Sequence, residues 1–61
     1  MTVTIERNNI GYIILQTLNG TWVFTMADLT PYTAEYLAEC GVTMPTEGFA
    51  SLDDALAAIP A

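Results

Sequence analysis

The chain has no histidine and no lysine, and it has one arginine and one cysteine. Each shortage excludes a class of chemistry. Without histidine there is no imidazole to move protons near neutral pH and no Cys/His zinc set. With lysine missing too, the usual basic groups of an active site are gone. Cys40, alone, cannot close an intrachain disulfide, and a lone thiol suits a reducing compartment. Arg7 is the one cation against seven acids, for a net charge of −6. Displacing counterions from phosphates takes several cations, so direct binding to nucleic acid is not expected, nor binding to an anionic membrane surface. No apolar run approaches the ~20 residues of a membrane span. Met1–Glu6 lacks the basic start of a secretory signal. The four glycines are scattered rather than gathered into a phosphate loop. The expectation is a protein of the cytoplasm, of the host cell if phage-encoded, with no cofactor and no metal.

What is present favours folding. Hydrophobic residues make up 52 % of 61 residues, too many for disorder despite the charge. One domain, residues 1–61, is expected. Below roughly 70 residues a core alone seldom supplies more than a few kcal/mol, and disulfide and metal are both absent here. Good packing or a second subunit must supply the rest, so a homodimer is expected.

The pattern predicts an α+β fold, with strands over about 2–6, 10–18 and 21–27. Asn19-Gly20 between two β-rich runs predicts a two-residue type I′ hairpin loop. That turn pairs Leu15 with Phe24 and Ile13 with Met26, which collects Ile13, Leu15, Trp22, Phe24 and Met26 on a core face. Tyr12, Ile14 and Val23 then fall on a second face that the helices leave open, and are the expected oligomer interface. Asn8-Asn9 is a second turn. A short turn there sets Ile5 against Tyr12 and Val3 against Ile14; a bulge at Gly11 moves the first strand by one residue. Two helices follow, packed on one face. Thr30 as N-cap and Pro31 at the first position predict a helix over about 31–40, ended by Gly41 with Val42 folding back on Leu37. Ser51-Leu52-Asp53-Asp54 is a capping box that opens a helix over about 52–59, stopped by Pro60.

Catalysis is not expected. Cys40 falls at a helix C-terminus, whose partial negative charge opposes a thiolate, and reads as a core filler. Asp53 and Asp54 are explained by capping. Glu35 and Glu39 differ: they are i, i+4 like charges on the side of the helix away from its apolar stripe, and Glu39 lies in the last turn, where the dipole disfavours acids. A local rule broken without local compensation points toward function. Glu35 and Glu39, with Asp28 and Glu47, are the candidate partner-binding residues. Trp22 and the tyrosines could form a recognition surface, but Trp22 reads as core, Tyr32 and Tyr36 fall in the apolar stripe of the helix with Leu37 and Cys40, and Tyr12, on the second face, reads as interface or as simply exposed.

The segment Phe49–Ile59 is similar to the S/T-x-E-E-A-L helix of HicB-type antitoxins. Gly11-Tyr12 and Ala27-Asp28-Leu29-Thr30 resemble their Gly-Tyr and Pro-Asp-Leu-Pro elements in the same order. Residues 31–46 depart from that pattern, and no DNA-binding segment follows. The resemblance implies that neutralising a basic protein is a fitting task for such a shape. The functional expectation is a non-enzymatic, acidic protein-binding factor that occupies a basic surface of its partner. The alternative is an assembly subunit that works through an apolar homo-oligomer interface.

Overall fold

A computed structural model describes residues 1–60. It is an α+β fold: a three-stranded antiparallel sheet in the order β1 (Thr2–Arg7), β2 (Ile10–Gln16), β3 (Trp22–Thr25), followed by α1 (Ala34–Glu39) and α2 (Leu52–Ala58). The β-branched and aromatic runs make the strands, and turn residues break them. How they break them decides which side chains meet.

The type I′ turn is at Asn8-Asn9, both with positive φ (55° and 66°). It pairs Ile5 with Tyr12 and Val3 with Ile14, the short-turn register. The second loop corrects the reading of Asn19-Gly20. Thr17 closes on Thr21 rather than on Trp22: the Thr17 N–H donates to Thr21 C=O (2.8 Å), and the Gly20 N–H donates to Thr17 C=O (3.0 Å). Leu18, Asn19 and Gly20 therefore form a type I turn followed by a left-handed glycine (φ 85°). The two threonine hydroxyls share a hydrogen bond of 2.8 Å across the closure.

One extra loop residue slips the register by one and exchanges the faces. Ile14 now faces Phe24, and Gln16 faces Trp22. Val3, Ile5, Tyr12, Ile14, Trp22 and Phe24 thus share one face, and both helices cover it. Ile14 is fully enclosed at 0 % exposure. The expected core of Ile13, Leu15 and Met26 is corrected accordingly: Ile13 and Leu15 are half-buried on the outer face, and Met26 is exposed. Loop geometry, rather than strand composition, joined the two apolar half-faces into one core.

The outer edge of β3 is sealed by two segments. Trp22 and Phe49 exchange backbone bonds of 2.8 Å each, and the Tyr32 N–H donates to Phe24 C=O (3.0 Å). Gly48 permits the first of these. It has φ +96°, and a Cβ there would lie 2.9 Å from the Trp22 carbonyl oxygen. The edge of β1 has no strand beside it among the described residues.

The end of α1 and the start of α2 both follow from the sequence. Gly41 is left-handed (φ 88°); its N–H donates to Ala38 C=O (3.1 Å), and Val42 N–H donates to Leu37 C=O (2.8 Å), the paired bonds of a Schellman motif. Leu37 and Val42 are buried there together. The Ser51 hydroxyl accepts from the Asp54 N–H at 3.1 Å, opening α2. Arg7 Nη1 donates to Leu56 C=O in the last turn of α2 (3.1 Å), so the only cation of the chain meets the negative end of a helix dipole.

The start of α1 is later than Thr30-Pro31 suggests. Its N-cap is Thr33, whose hydroxyl accepts from the Tyr36 N–H at 3.1 Å. Pro31 forms a bridge with Thr25 along the edge of β3. An edge position spares proline the N–H it lacks, and the extended backbone also suits Thr30 before it.

Candidate functional site

The chain between β3 and α1 repeats the geometry of the Leu18–Gly20 loop. Met26 N–H donates to Thr30 C=O, and Leu29 N–H donates to Met26 C=O, each at 2.9 Å. The left-handed position is held by Leu29 (φ 67°) instead of glycine. A branched side chain in that region costs about 1–2 kcal/mol. Leu29 recovers little of it by burial, since it is 44 % exposed. Asp28 steadies the loop, its carboxylate accepting from the Thr30 N–H at 3.0 Å. That hydrogen bond holds the Asp28 carboxyl below its ordinary value.

This loop adjoins a cleft of about 250 Å³ between the Ile10 end of β2, the end of β3 and α1. Its buried lining includes Phe24, Leu37 and Val42, and its exposed lining includes Ile10, Tyr36 and Cys40. Tyr12 stands edge-on to Phe24 (ring centres 5.9 Å apart), and Tyr32 stacks on Tyr36 (4.9 Å, 15° between planes). Exposed large apolar side chains gather at this end of the molecule: Ile10, Met26, Leu29 and Tyr36. Isolated apolar side chains on a surface are ordinary; several around one apolar cleft mark an interaction site.

The acids are on elements that frame this apolar surface and do not line the cleft itself. The Tyr36 phenol pKa is raised, chiefly by the neighbouring Cys40 thiol, with Tyr32 and Glu39 adding to it. Glu39 is i, i+3 to the exposed Tyr36 on α1, and Glu35 is one turn back along the helix. Asp28 lies in the Met26–Thr30 loop at the same end of β3. Glu47 lies elsewhere: its turn (Gly48 N–H to Pro45 C=O, 3.0 Å) leads into Phe49, paired with Trp22 at the opposite end of β3. Glu35 and Glu39 are thus one turn apart on α1, Asp28 is in the loop that follows β3, and Glu47 is at the other end of that strand.

The remaining sequence candidates fall differently. Ile14 and Tyr12 are on the helix-covered face, with Ile14 enclosed; Val23 is on the other face and is nearly buried. The three do not form one open surface, and the register slip is the reason. Cys40 is exposed at the cleft mouth instead of filling the core. Trp22 is in the core, as read. Ile10, Met26 and Leu29 were not singled out from the sequence. A signal for Leu29 was there: Thr17-Leu-Asn-Gly-Thr21 and Met26-Ala-Asp-Leu-Thr30 are parallel loop sequences, with leucine replacing the glycine.

Among the described residues no group of three or more His, Cys, Asp or Glu side chains is placed to hold a metal ion. No helix of the described chain is long and apolar enough to cross a membrane. No family model, no curated protein and no solved structure matches the chain.

Proposed function

We propose that this chain is a small acidic protein-binding factor that occupies a basic surface of a partner protein and so inhibits or regulates it. The observation that carries the reading is the cleft end of the molecule. There an apolar cleft is lined by exposed Ile10 and Tyr36, and α1, which supplies Tyr36, also carries Glu35 and Glu39, in a chain of net charge −6. Apolar groups supply affinity, and the acids select and steer a basic partner. The strained, exposed Leu29 beside them breaks a local rule with no gain inside the fold, which is common where binding sets the sequence. The same reading places the protein in the cytoplasm, of a bacterium or of a phage-infected host, where the exposed Cys40 thiol stays reduced.

A second reading has its own observation. The edge of β1, unpaired among the described residues, with half-buried Ile13 and Leu15 on the outer face of the sheet, suits a homodimer or a larger assembly. Charge reversal separates the two. Glu35→Lys/Glu39→Lys abolishes binding of a basic partner and leaves a sheet-edge oligomer intact. Binding is read with the purified partner and mass by sedimentation equilibrium. A double variant that keeps its partner and loses its oligomer would overturn the first reading in favour of assembly.

A further inference from the structure

We infer that the cleft seats one apolar side chain of a basic segment, of leucine, methionine or phenylalanine size, whose flanking arginines or lysines meet Glu35, Glu39 and Asp28. The inference rests on the reading of the chain as a partner-binding factor and names what that partner presents. Three observations set the chemistry. The cleft lining is dominated by aromatic and aliphatic side chains, so a charged head buried there would lose its hydration without a counter-charge. The volume, about 250 Å³, falls below the roughly 300–1,000 Å³ of pockets that enclose a drug-sized ligand. It suits a side chain delivered from outside better than a free cofactor. The charges follow from helix spacing: Glu39 is i, i+3 to Tyr36 on α1 and Glu35 is one turn before it, while Asp28 is held in the loop after β3 by its bond to Thr30. An apolar centre with a charged rim is the usual layout of a protein-recognition site, and here the rim is acidic.

Tyr36 sits where the two parts join. One of its ring faces stacks on Tyr32, and the residue is 48 % exposed. The ring is available both to the anchor side chain and, through its π-face, to a cation beside it.

The test is an amide chemical-shift titration of the full chain with three capped pentapeptides: Arg-Lys-Leu-Lys-Arg, the same peptide with glycine replacing leucine, and Glu-Glu-Leu-Glu-Glu. The leucine-bearing basic peptide is expected to shift Gly11, Tyr12, Tyr36 and Cys40 saturably. The glycine version is expected to bind about ten-fold or more weakly and to perturb the acidic residues of α1 without the cleft. The acidic peptide is expected to cause no shift. Tyr36→Ala, at an exposed position that leaves the Thr33 cap in place, should weaken the leucine peptide by a larger factor than the glycine peptide, which loses only the cation–π contact. Equal, salt-sensitive binding of the two basic peptides overturns the anchor while sparing the acidic-surface reading. Equal binding of the acidic and basic leucine peptides overturns the basic partner. No shift with any peptide overturns both. Shifts at the same residues on concentrating the chain alone would assign the cleft to a second copy and overturn the proposal.

Discussion

Three glycine-to-alanine substitutions separate what backbone conformation costs in this fold from what a close approach costs. Gly11 is in β2 without positive φ, and a Cβ there meets nothing within 4 Å. Gly20 has φ +85°, and its Cβ would also meet nothing within 4 Å. Gly48 has φ +96°, and its Cβ would press on the Trp22 carbonyl oxygen at 2.9 Å and on Val23 Cγ1 at 3.0 Å. Gly11→Ala should leave stability unchanged within about 0.5 kcal/mol, as surface substitutions do. Gly20→Ala should cost about 0.5–1.5 kcal/mol: left-handed strain of about 1–2 kcal/mol, partly offset by the lower entropy of the unfolded chain. Gly48→Ala carries the same strain and a collision with backbone. The Trp22 oxygen cannot withdraw without loosening the 2.8 Å bond it accepts from the Phe49 N–H. Losing that bond adds about 1 kcal/mol to the net cost of the strain, for a total of about 1.5–2.5 kcal/mol. Against the few kcal/mol expected of a chain this short, that change would leave a substantial unfolded fraction at room temperature. Urea unfolding followed by Trp22 fluorescence would read all three midpoints. A Gly48→Ala midpoint no lower than that of Gly20→Ala would refute the account of how the edge of β3 is sealed.

Other perturbations test other joints of the fold. Ile14→Ala empties the fully enclosed centre of the core and should cost about 2–4 kcal/mol by denaturant unfolding. Arg7→Met removes the bond to Leu56 C=O at an exposed site, so a loss below about 1 kcal/mol is expected in a thermal melt. Asp28 has its folded-state pKa depressed below 3.8. Its contribution is therefore present above the unfolded-state value and disappears as pH falls through the lower folded-state value. Asp28→Asn should remove that part of the acid dependence of the urea midpoint and leave the rest.

The sequence carried the architecture because most of its signals were local. Gly41 after an apolar stripe and Ser51 before Asp54 each act within a few residues, and both helices end or begin where those residues place them. The two errors of consequence came from choices between local alternatives that distant contacts settled. Asn19-Gly20 is compatible with a two-residue loop and with the second half of a three-residue loop. Only the longer loop puts Trp22 and Phe24 on the face that carries Ile14, Val3 and Ile5. Thr30 and Thr33 are both competent N-caps, and pairing of Pro31 and Tyr32 with the edge of β3 left Thr33 to cap α1. The candidate site was legible only in part. Glu35, Glu39 and Asp28 stood out as charges, but the cleft beside them depends on the register slip and the late start of α1, which no local pattern encodes. Exposed Ile10 and Met26 look like strand residues in the sequence, and their position at one end of the sheet is a product of the pairing.

The measurement that bears most directly on the proposed role is the affinity for a purified basic partner as a function of salt, for the native chain and for Glu35→Gln/Glu39→Gln. Exposed acids act over a screening length of about 8 Å at physiological ionic strength. Affinity for the native chain should therefore fall as salt rises, and the double variant should show a flatter salt dependence, chiefly through slower association. An affinity indifferent to salt and unchanged by removing both charges would contradict the claim that this acidic, cleft-bearing end of the molecule recognises a basic surface.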